Sequence, residues 1–207
     1  MKYHLLSFPR SGNHIFRIFF EFYTNFNSAG CIGSKSDTPV LERFVSEAPD
    51  MPRETILHKS HFISEVVSRE YKDGGEWSLI FLIRSPIEAI SSQISRSTDY
   101  RYRWVLPNSF LSRIVDINIE HYIIVAKFFL DYQGPKYLIN FKDLFDESKF
   151  IALEQLPEIH YGKENLLSMA KKSQFSRKIY SSEIDSLIAS HPKFEIAKRL
   201  YRDVNKS

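Results

Sequence analysis

Short apolar runs alternate with amphipathic segments along the first two thirds of the chain. Four of these runs have the composition of β-strands, and they cover residues 3–8, 55–58, 79–83 and 137–141. The third run, Leu-Ile-Phe-Leu-Ile, is continuously apolar, which is typical of a strand covered on both faces. Apolar residues at helical spacing predict helices over 13–26, about 62–71, 86–96 and 115–132. Because strands and helices alternate, the pattern predicts an α/β fold with a parallel central sheet.

The C-terminal part of the chain has a helical pattern. Ser182 and Asp185 form a capping box before a predicted helix over 183–190, and a last helix is predicted over 193–203. Residues 27–53 and 97–112 carry no regular pattern, and we expect them to be irregular loops over a ligand or substrate. At 207 residues, the chain is expected to form a single domain over 1–207.

Composition narrows the class of protein. The chain is 43% hydrophobic and 26% charged, which is ordinary for a soluble globular protein. A net charge of +3 is too small to indicate nucleic-acid binding by itself, but it suits an anionic ligand. The single cysteine, Cys31, excludes an internal disulfide and a cysteine-based metal site. No signal-peptide pattern and no apolar run of membrane-spanning length is present, so we expect a cytoplasmic protein without a membrane span.

Residues 5–14, Leu-Leu-Ser-Phe-Pro-Arg-Ser-Gly-Asn-His, are the most informative stretch. They predict a buried strand, a tight turn and the start of a helix, a geometry that points backbone N–H groups at one spot. Arg10 adds a forked cation, and Gly12 lets the backbone close around an anion. This stretch therefore predicts a phosphate or sulfate site, although the ATPase pattern with a second glycine and a following lysine is absent. The alternative is a plain strand-to-helix turn, with Pro9 and Gly12 marking the break.

Three motifs follow three successive predicted strands. They are Pro9-Arg10-Ser11-Gly12-Asn13, then Lys59-Ser60-His61, and finally Arg84-Ser85-Pro86 with Ser92 eight residues beyond Arg84. This set resembles the PAPS-dependent sulfotransferases, which use 3′-phosphoadenosine-5′-phosphosulfate (PAPS) as sulfuryl donor and share the motifs P-[KR]-[ST]-G-[TN]-T-W and K-[ST]-H. The resemblance covers about residues 3–144, including Phe141-Lys142-Asp143-Leu144, with a weaker match at 173–178. It implies a three-layer α/β/α fold with a mostly parallel sheet, similar to the P-loop nucleotide-binding proteins.

The resemblance also implies how the donor is held. Arg10 stands where the family contacts the 5′-phosphosulfate, and further donors to that group would come from Ser11, Gly12, Asn13 and His14. Arg84 and Ser92 match the pair that binds the 3′-phosphate, with Ser91 as the alternative hydroxyl. A plain ion pair between Arg84 and Glu88 is the structural alternative.

A late motif of the family is matched only in shortened form. Arg177 and Lys178 resemble an R-K-G sequence that closes over the 3′-phosphate, but Ile179 replaces the glycine. The alternative is a pair of basic surface residues with no role in binding.

For catalysis, the resemblance makes His61 the general base that removes the acceptor proton. Lys59 would steady the sulfuryl oxygens, and Arg10 would stabilise charge on the departing phosphate. His58 and His14 are the alternatives for the catalytic histidine. The reaction needs no metal, and the acceptor is a hydroxyl or amine of a small molecule or glycan.

The chain departs from the family at one donor contact. His14 and Ile15 replace the family's Thr-Trp, whose tryptophan stacks on the adenine, so another aromatic residue such as Phe175 must take that place. Two other functions compete with sulfuryl transfer. A kinase-like phosphotransferase needs a lysine after the loop and an acidic magnesium anchor, neither of which is evident. A nucleic-acid binder would use the alternating basic and aromatic residues of 96–104. A family member that binds the donor without transferring the sulfuryl group is a further alternative.

Overall fold

A computed structural model gives the fold, and it describes residues 2–24, 26–30, 54–73, 76–97, 108–145 and 182–206. Five strands form one sheet: β1 (Lys2–Leu6), β2 (Asn27–Ala29), β3 (Thr55–Ser60), β4 (Trp77–Ile83) and β5 (Lys136–Asn140). Their order is β2-β3-β1-β4-β5, and each neighbouring pair runs parallel. The predicted α/β class with a parallel sheet is confirmed.

The described residues also contain six α-helices: α1 (Asn13–Thr24), α2 (Ile63–Asp73), α3 (Pro86–Ser97), α4 (Asn108–Asp131), α5 (Ser182–Ser190) and α6 (Phe194–Val204). A 3-10 turn, Phe141–Phe145, follows β5 directly. Helix α1 ends two residues earlier than expected, because the Thr24 hydroxyl accepts a hydrogen bond from the Phe26 backbone N–H at 3.1 Å.

Two predicted loops contain regular structure. Residues 27–29, predicted to be irregular, form β2, although Asn-Ser-Ala has no apolar pattern. Burial explains this strand, because the Arg17 guanidinium donates to the Ser28 hydroxyl at 2.6 Å and to its carbonyl at 2.9 Å. The Glu21 carboxylate accepts from the Ser28 backbone N–H at 3.2 Å and from its hydroxyl. This buried polar cluster joins α1 to β2 and stabilises a strand that local sequence does not favour.

Residues 108–112, also expected to be irregular, are the first turn of α4. Leu111 and Val115 are buried there, so packing rather than a regular local pattern extends the helix toward its N-terminus. The rest of the two predicted loops, residues 31–53 and 98–107, lies outside the described residues.

Helices cover both faces of the sheet, as expected for a three-layer α/β/α fold. On one face Leu5, Ile80 and Leu82 pack against the apolar side of α1. On the other face Leu6, Leu79 and Phe81 belong to a larger core with residues of α2 to α6. Alternate residues of β1 and β4 therefore point to opposite layers, and both strands are buried on their two sides. No helix in the described ranges is both long enough and apolar enough to cross a bilayer.

The strand order determines where a ligand can bind. From the central strand β1 the chain first builds β2 and β3 on one side, and it later adds β4 and β5 on the other. In a parallel sheet, connections that leave in opposite directions open a crevice at the carboxyl ends of the strands. The carboxyl ends of β1, β3 and β4 and the segments that follow them meet at this crevice, and they carry the three motifs found in the sequence, with Lys59 and Ser60 as the last residues of β3.

Candidate functional site

The segment between β1 and α1 is a strained loop. Arg10 and Gly12 both have positive φ angles, 67° and 98°, and such angles are uncommon for a residue with a side chain. A Cβ atom on Gly12 would lie 2.5 Å from Cδ2 of Phe141, so the loop requires glycine for its conformation and for its packing. The Phe16 backbone N–H donates to the Gly12 carbonyl at 3.0 Å and begins the hydrogen bonding of α1. The loop therefore lies directly at the N-terminus of a helix, where backbone dipoles favour an anion.

Two buried polar side chains belong to the same loop region. The Ser7 hydroxyl donates to Oδ1 of Asn13 at 2.8 Å, which ties the end of β1 to the start of α1. The Ser11 hydroxyl is buried without a hydrogen-bond partner among the described residues. A buried hydroxyl in that state costs free energy unless a ligand or water satisfies it.

Arg84 lies just after β4, and it connects the segment after β4 to the loop after β1. Its Nη1 donates to the Arg10 carbonyl at 3.1 Å, and its guanidinium lies 4.4 Å above the centre of the Phe141 ring. Its Nε also lies 3.2 Å from the Glu88 carboxylate, so the ion pair considered as the structural alternative is present. The Tyr122 hydroxyl donates to the Arg84 carbonyl at 2.8 Å and fixes the backbone there, while burial raises the pKa of Tyr122.

The two candidate hydroxyls of α3 lie in different places. Ser92 accepts a long hydrogen bond of 3.4 Å from Nε of Arg10, so it lies beside the loop after β1. The Ser91 hydroxyl is fully buried, and within the described ranges it has no hydrogen-bond partner. Of the two, the structure brings Ser92 to the predicted donor site.

His61 lies immediately after β3, with Nδ1 at 2.9 Å from the Ser7 carbonyl oxygen. A carbonyl oxygen can only accept, so Nδ1 carries the proton and Nε2 keeps its lone pair. Burial, and next the charge of Lys59, lower the pKa of His61 to about 3. The imidazole is therefore neutral at physiological pH and can accept a proton at Nε2.

These residues surround one cavity of about 550 Å³. Seven of the predicted site residues line it: Arg10, Gly12, Asn13, His14, Lys59, His61 and Arg84. Ser11 and Ser92 are held next to this wall, whereas Arg177 and Lys178, with the adenine candidate Phe175, lie outside the described residues. His58, considered as a rival base, does not line the cavity, since its ring lies edge-on to Trp77 at 5.5 Å.

The cavity also contains residues that the sequence analysis did not assign. Phe62, Gln93 and Phe141 line it together with the expected residues. Phe62 follows His61 directly, and Phe141 begins the run that resembles the family's recurrent motif, so both had a sequence signal. Gln93 had no sequence signal, because only the folded structure shows that its position on α3 brings it to the cavity.

The charges of the wall favour an anionic ligand. Arg10, Lys59 and Arg84 contribute three cations, and the described lining of this cavity includes no acidic residue. In the same part of the chain, no group of three or more His, Cys, Asp or Glu side chains is arranged to hold a metal ion. With two arginine forks, a helix N-terminus and a neutral imidazole, the site can bind an anion of more than one charge and accept a proton beside it.

No protein-family model matches the chain, and a search of curated proteins finds no match.

Proposed function

We propose that this protein is a PAPS-dependent sulfotransferase, which moves the sulfuryl group of PAPS to a hydroxyl or amine of a small molecule or glycan. The observation that carries the proposal is convergence. Three motifs, at residues 9–13, 59–61 and 84–92 of the sequence, meet around one cationic cavity with a neutral histidine in its wall. We also propose a cytoplasmic location, which fits a chain with a single cysteine.

In the proposed complex the two charged ends of PAPS bind at neighbouring strand ends. The 5′-phosphosulfate takes the loop after β1, where Arg10 and the N-terminus of α1 offer donors, whereas the Ser11 hydroxyl is buried beside the cavity wall and does not reach it. The 3′-phosphate takes Arg84 and Ser92, and Arg84 is already steadied by the Phe141 ring.

The reaction is then an in-line displacement at sulfur. The acceptor oxygen attacks sulfur, the bond from sulfur to the phosphate oxygen breaks, and Nε2 of His61 takes the acceptor proton. Negative charge builds on the departing phosphate, where Arg10 stabilises it, while Lys59 steadies the sulfuryl oxygens. Burial, and next the charge of Lys59, lower the pKa of His61, and the negative charge of bound PAPS opposes only the contribution of Lys59, so the imidazole is a stronger base with donor present than without it.

Transfer of label from sulfur-labelled PAPS into a pooled extract of metabolites and glycans tests the proposal. We expect wild-type protein to label an acceptor and His61→Ala to lose at least about 100-fold in rate, the usual contribution of a general base. The affinity of His61→Ala for 3′,5′-bisphosphoadenosine should stay within a few-fold. His58→Gln is the matched control, since it changes a histidine three residues away that does not line the cavity, and it should transfer normally.

Two outcomes contradict the proposal. Normal transfer by His61→Ala removes the assigned base. Tight binding of ATP with magnesium, combined with no binding of 3′,5′-bisphosphoadenosine, favours a phosphotransferase instead.

A further inference from the structure

Helix α4 has apolar side chains on two different faces. One face belongs to the core, where Val115, Ile119 and Tyr122 are buried. The other face is open, and three of the six exposed large hydrophobic side chains of the described residues lie on it: Phe110 at 48%, Ile117 at 54% and Ile124 at 55% exposure. A helix that is apolar on the side away from its core has a second surface available for packing.

The open face of α4 has a heptad pattern. Its apolar and aromatic positions are separated by four and three residues in turn, and they are Phe110, Ile114, Ile117, His121, Ile124 and Phe128. We call this row the outer stripe. Alternating spacings of four and three are the repeat with which one helix packs along another in a coiled coil. The outer stripe is therefore suited to a helix as its partner.

Charged side chains flank the outer stripe on one side. Arg113, Glu120 and Lys127 follow one another at seven-residue intervals, and all three are exposed. The signs of their charges alternate, and within the described chain Arg113 has no ion pair, whereas Glu120 pairs with Lys193 of the segment before α6. The opposite flank carries no charge, since its positions are Leu111, Asn118 and Val125.

We propose that the outer stripe is the interface of a homodimer, in which α4 packs antiparallel against α4 of a second copy across a two-fold axis. Charges flanking such a seam set the partner and the orientation of the two helices. In a parallel pair, the charged row of each helix would face the uncharged flank of the other. In an antiparallel pair the two charged rows face each other, so their charges can pair.

The alternating signs favour one register of the two helices. When Ile114 packs against Ile117 of the second copy, Arg113 lies opposite Glu120 of the second copy, and the two-fold axis forms the same pair again. A shift by one heptad would place Glu120 opposite Glu120 and Arg113 opposite Lys127, where like charges repel. The charged row is thus complementary to itself in a single antiparallel register, and this self-complementarity identifies a second copy as the partner.

Sedimentation velocity of the full chain over a concentration series tests the dimer. We expect a dimer that Ile117→Glu weakens at least about 100-fold, because the substitution acts twice at the centre of the interface. The variant should still unfold cooperatively, since the Ile117 side chain is 54% exposed in one copy. A wild-type protein that stays monomeric up to about 0.1 mM, a concentration at which micromolar dimers form, overturns the proposal. A dimer that Ile117→Glu leaves intact also overturns it.

Charge reversal tests the antiparallel register. Arg113→Glu should weaken the dimer about tenfold or more, because it creates two pairs of like charges. Adding Glu120→Arg to it should restore affinity to within about threefold of wild type, since both pairs return with their signs exchanged. Lys127→Glu is the matched control, because it makes the same change of charge in the same row outside the two pairs, and its affinity should stay within about threefold.

The pattern of the charge variants can contradict the register. Affinity that the double variant does not restore, or that Lys127→Glu increases strongly, shows that the helices do not pack in this way. Neither ligand binding nor turnover enters these measurements, so the dimer and the proposed sulfotransferase stand or fail separately.

Discussion

The two ends of the parallel sheet each hold a histidine among aromatic rings, and the two histidines have different surroundings. Near the amino ends of the strands, the fully buried His4 ring of β1 stacks on Trp77 with 3.9 Å between centres. Its Nε2 lies 3.7 Å from the Glu70 carboxylate, to which the Tyr132 hydroxyl donates at 2.6 Å. We call His4, Glu70, Trp77 and Tyr132 the amino-end cluster.

At the carboxyl ends, His61 lies in the wall of a cavity instead of inside a packed cluster. The cations of that wall have no acidic residue among its described lining, whereas the amino-end cluster has its own carboxylate. The amino-end cluster thus pairs its carboxylate with the Tyr132 hydroxyl inside the fold, although Nε1 of Trp77 is buried without a hydrogen-bond partner in the described chain. The cavity instead groups its three cations where a ligand can reach them. Residue type alone does not distinguish the two histidines, but their position relative to the strand ends does.

Arg84 gives the most direct test of this comparison, because it lines the cavity and also forms an ion pair with Glu88 inside the fold. Arg84→Ala should weaken binding of 3′,5′-bisphosphoadenosine by about 2 kcal/mol or more, roughly 30-fold, because a charged hydrogen-bond partner of the phosphate is lost. Isothermal titration calorimetry measures this change.

Glu88→Gln is the control for Arg84, because it removes the ion pair at 3.2 Å and keeps the guanidinium. We expect its affinity for the bisphosphate to stay within about threefold of wild type, since a partly exposed pair contributes little by itself. Equal losses in the two variants would show that Arg84 acts through Glu88, and the 3′-phosphate assignment would then be wrong.

The sequence was sufficient for four of the five strands and for the convergence of the site. Strands β1, β3, β4 and β5 have apolar runs long enough to identify, and a parallel sheet brings the residues after them to one edge. The sequence alone therefore predicts that Arg10, His61 and Arg84 lie together. Their roles in catalysis stay predictions, since the geometry shows where they lie and not what they bind.

What the sequence could not show depends on contacts between distant segments. Strand β2 is stabilised by the buried pair of Arg17 and Glu21 around Ser28, and a three-residue polar strand gives no local signal. The stack of Phe62 on His121 joins residues nearly 60 positions apart, so only the folded chain reveals it. The same holds for Phe141, whose ring fixes both Gly12 and Arg84.

A smaller effect is expected in the pH dependence of stability, through the titration of His61. The pKa of His61 is lowered from 6.5 to about 3, so between these values the unfolded chain binds a proton that the folded protein does not. The free energy of unfolding therefore rises with pH in this window, and acid removes stability. From pH 7.5 to pH 5 this one group should lower the unfolding free energy by about 2 kcal/mol.

Urea unfolding of wild type and His61→Gln at several pH values measures that contribution. The variant lacks the titrating imidazole, so its stability should fall less steeply between pH 7.5 and pH 5. Parallel curves for the two proteins would mean that His61 is not buried in the folded state as the structure has it.

The smallest expected effect comes from the amino-end cluster and checks that it is structural. Burial, and next the hydrogen bond to Glu70, raise the pKa of Tyr132. Tyr132→Phe removes this hydrogen bond while the aromatic ring stays in place. Loss of this partly buried bond should cost about 1 kcal/mol of unfolding free energy, or roughly 2–4 °C in Tm. Bisphosphate affinity should be unchanged, because none of the cluster's residues lines the cavity. A variant with normal stability and weakened bisphosphate binding would reverse the comparison, since the amino-end cluster would then act on the ligand site rather than on the fold.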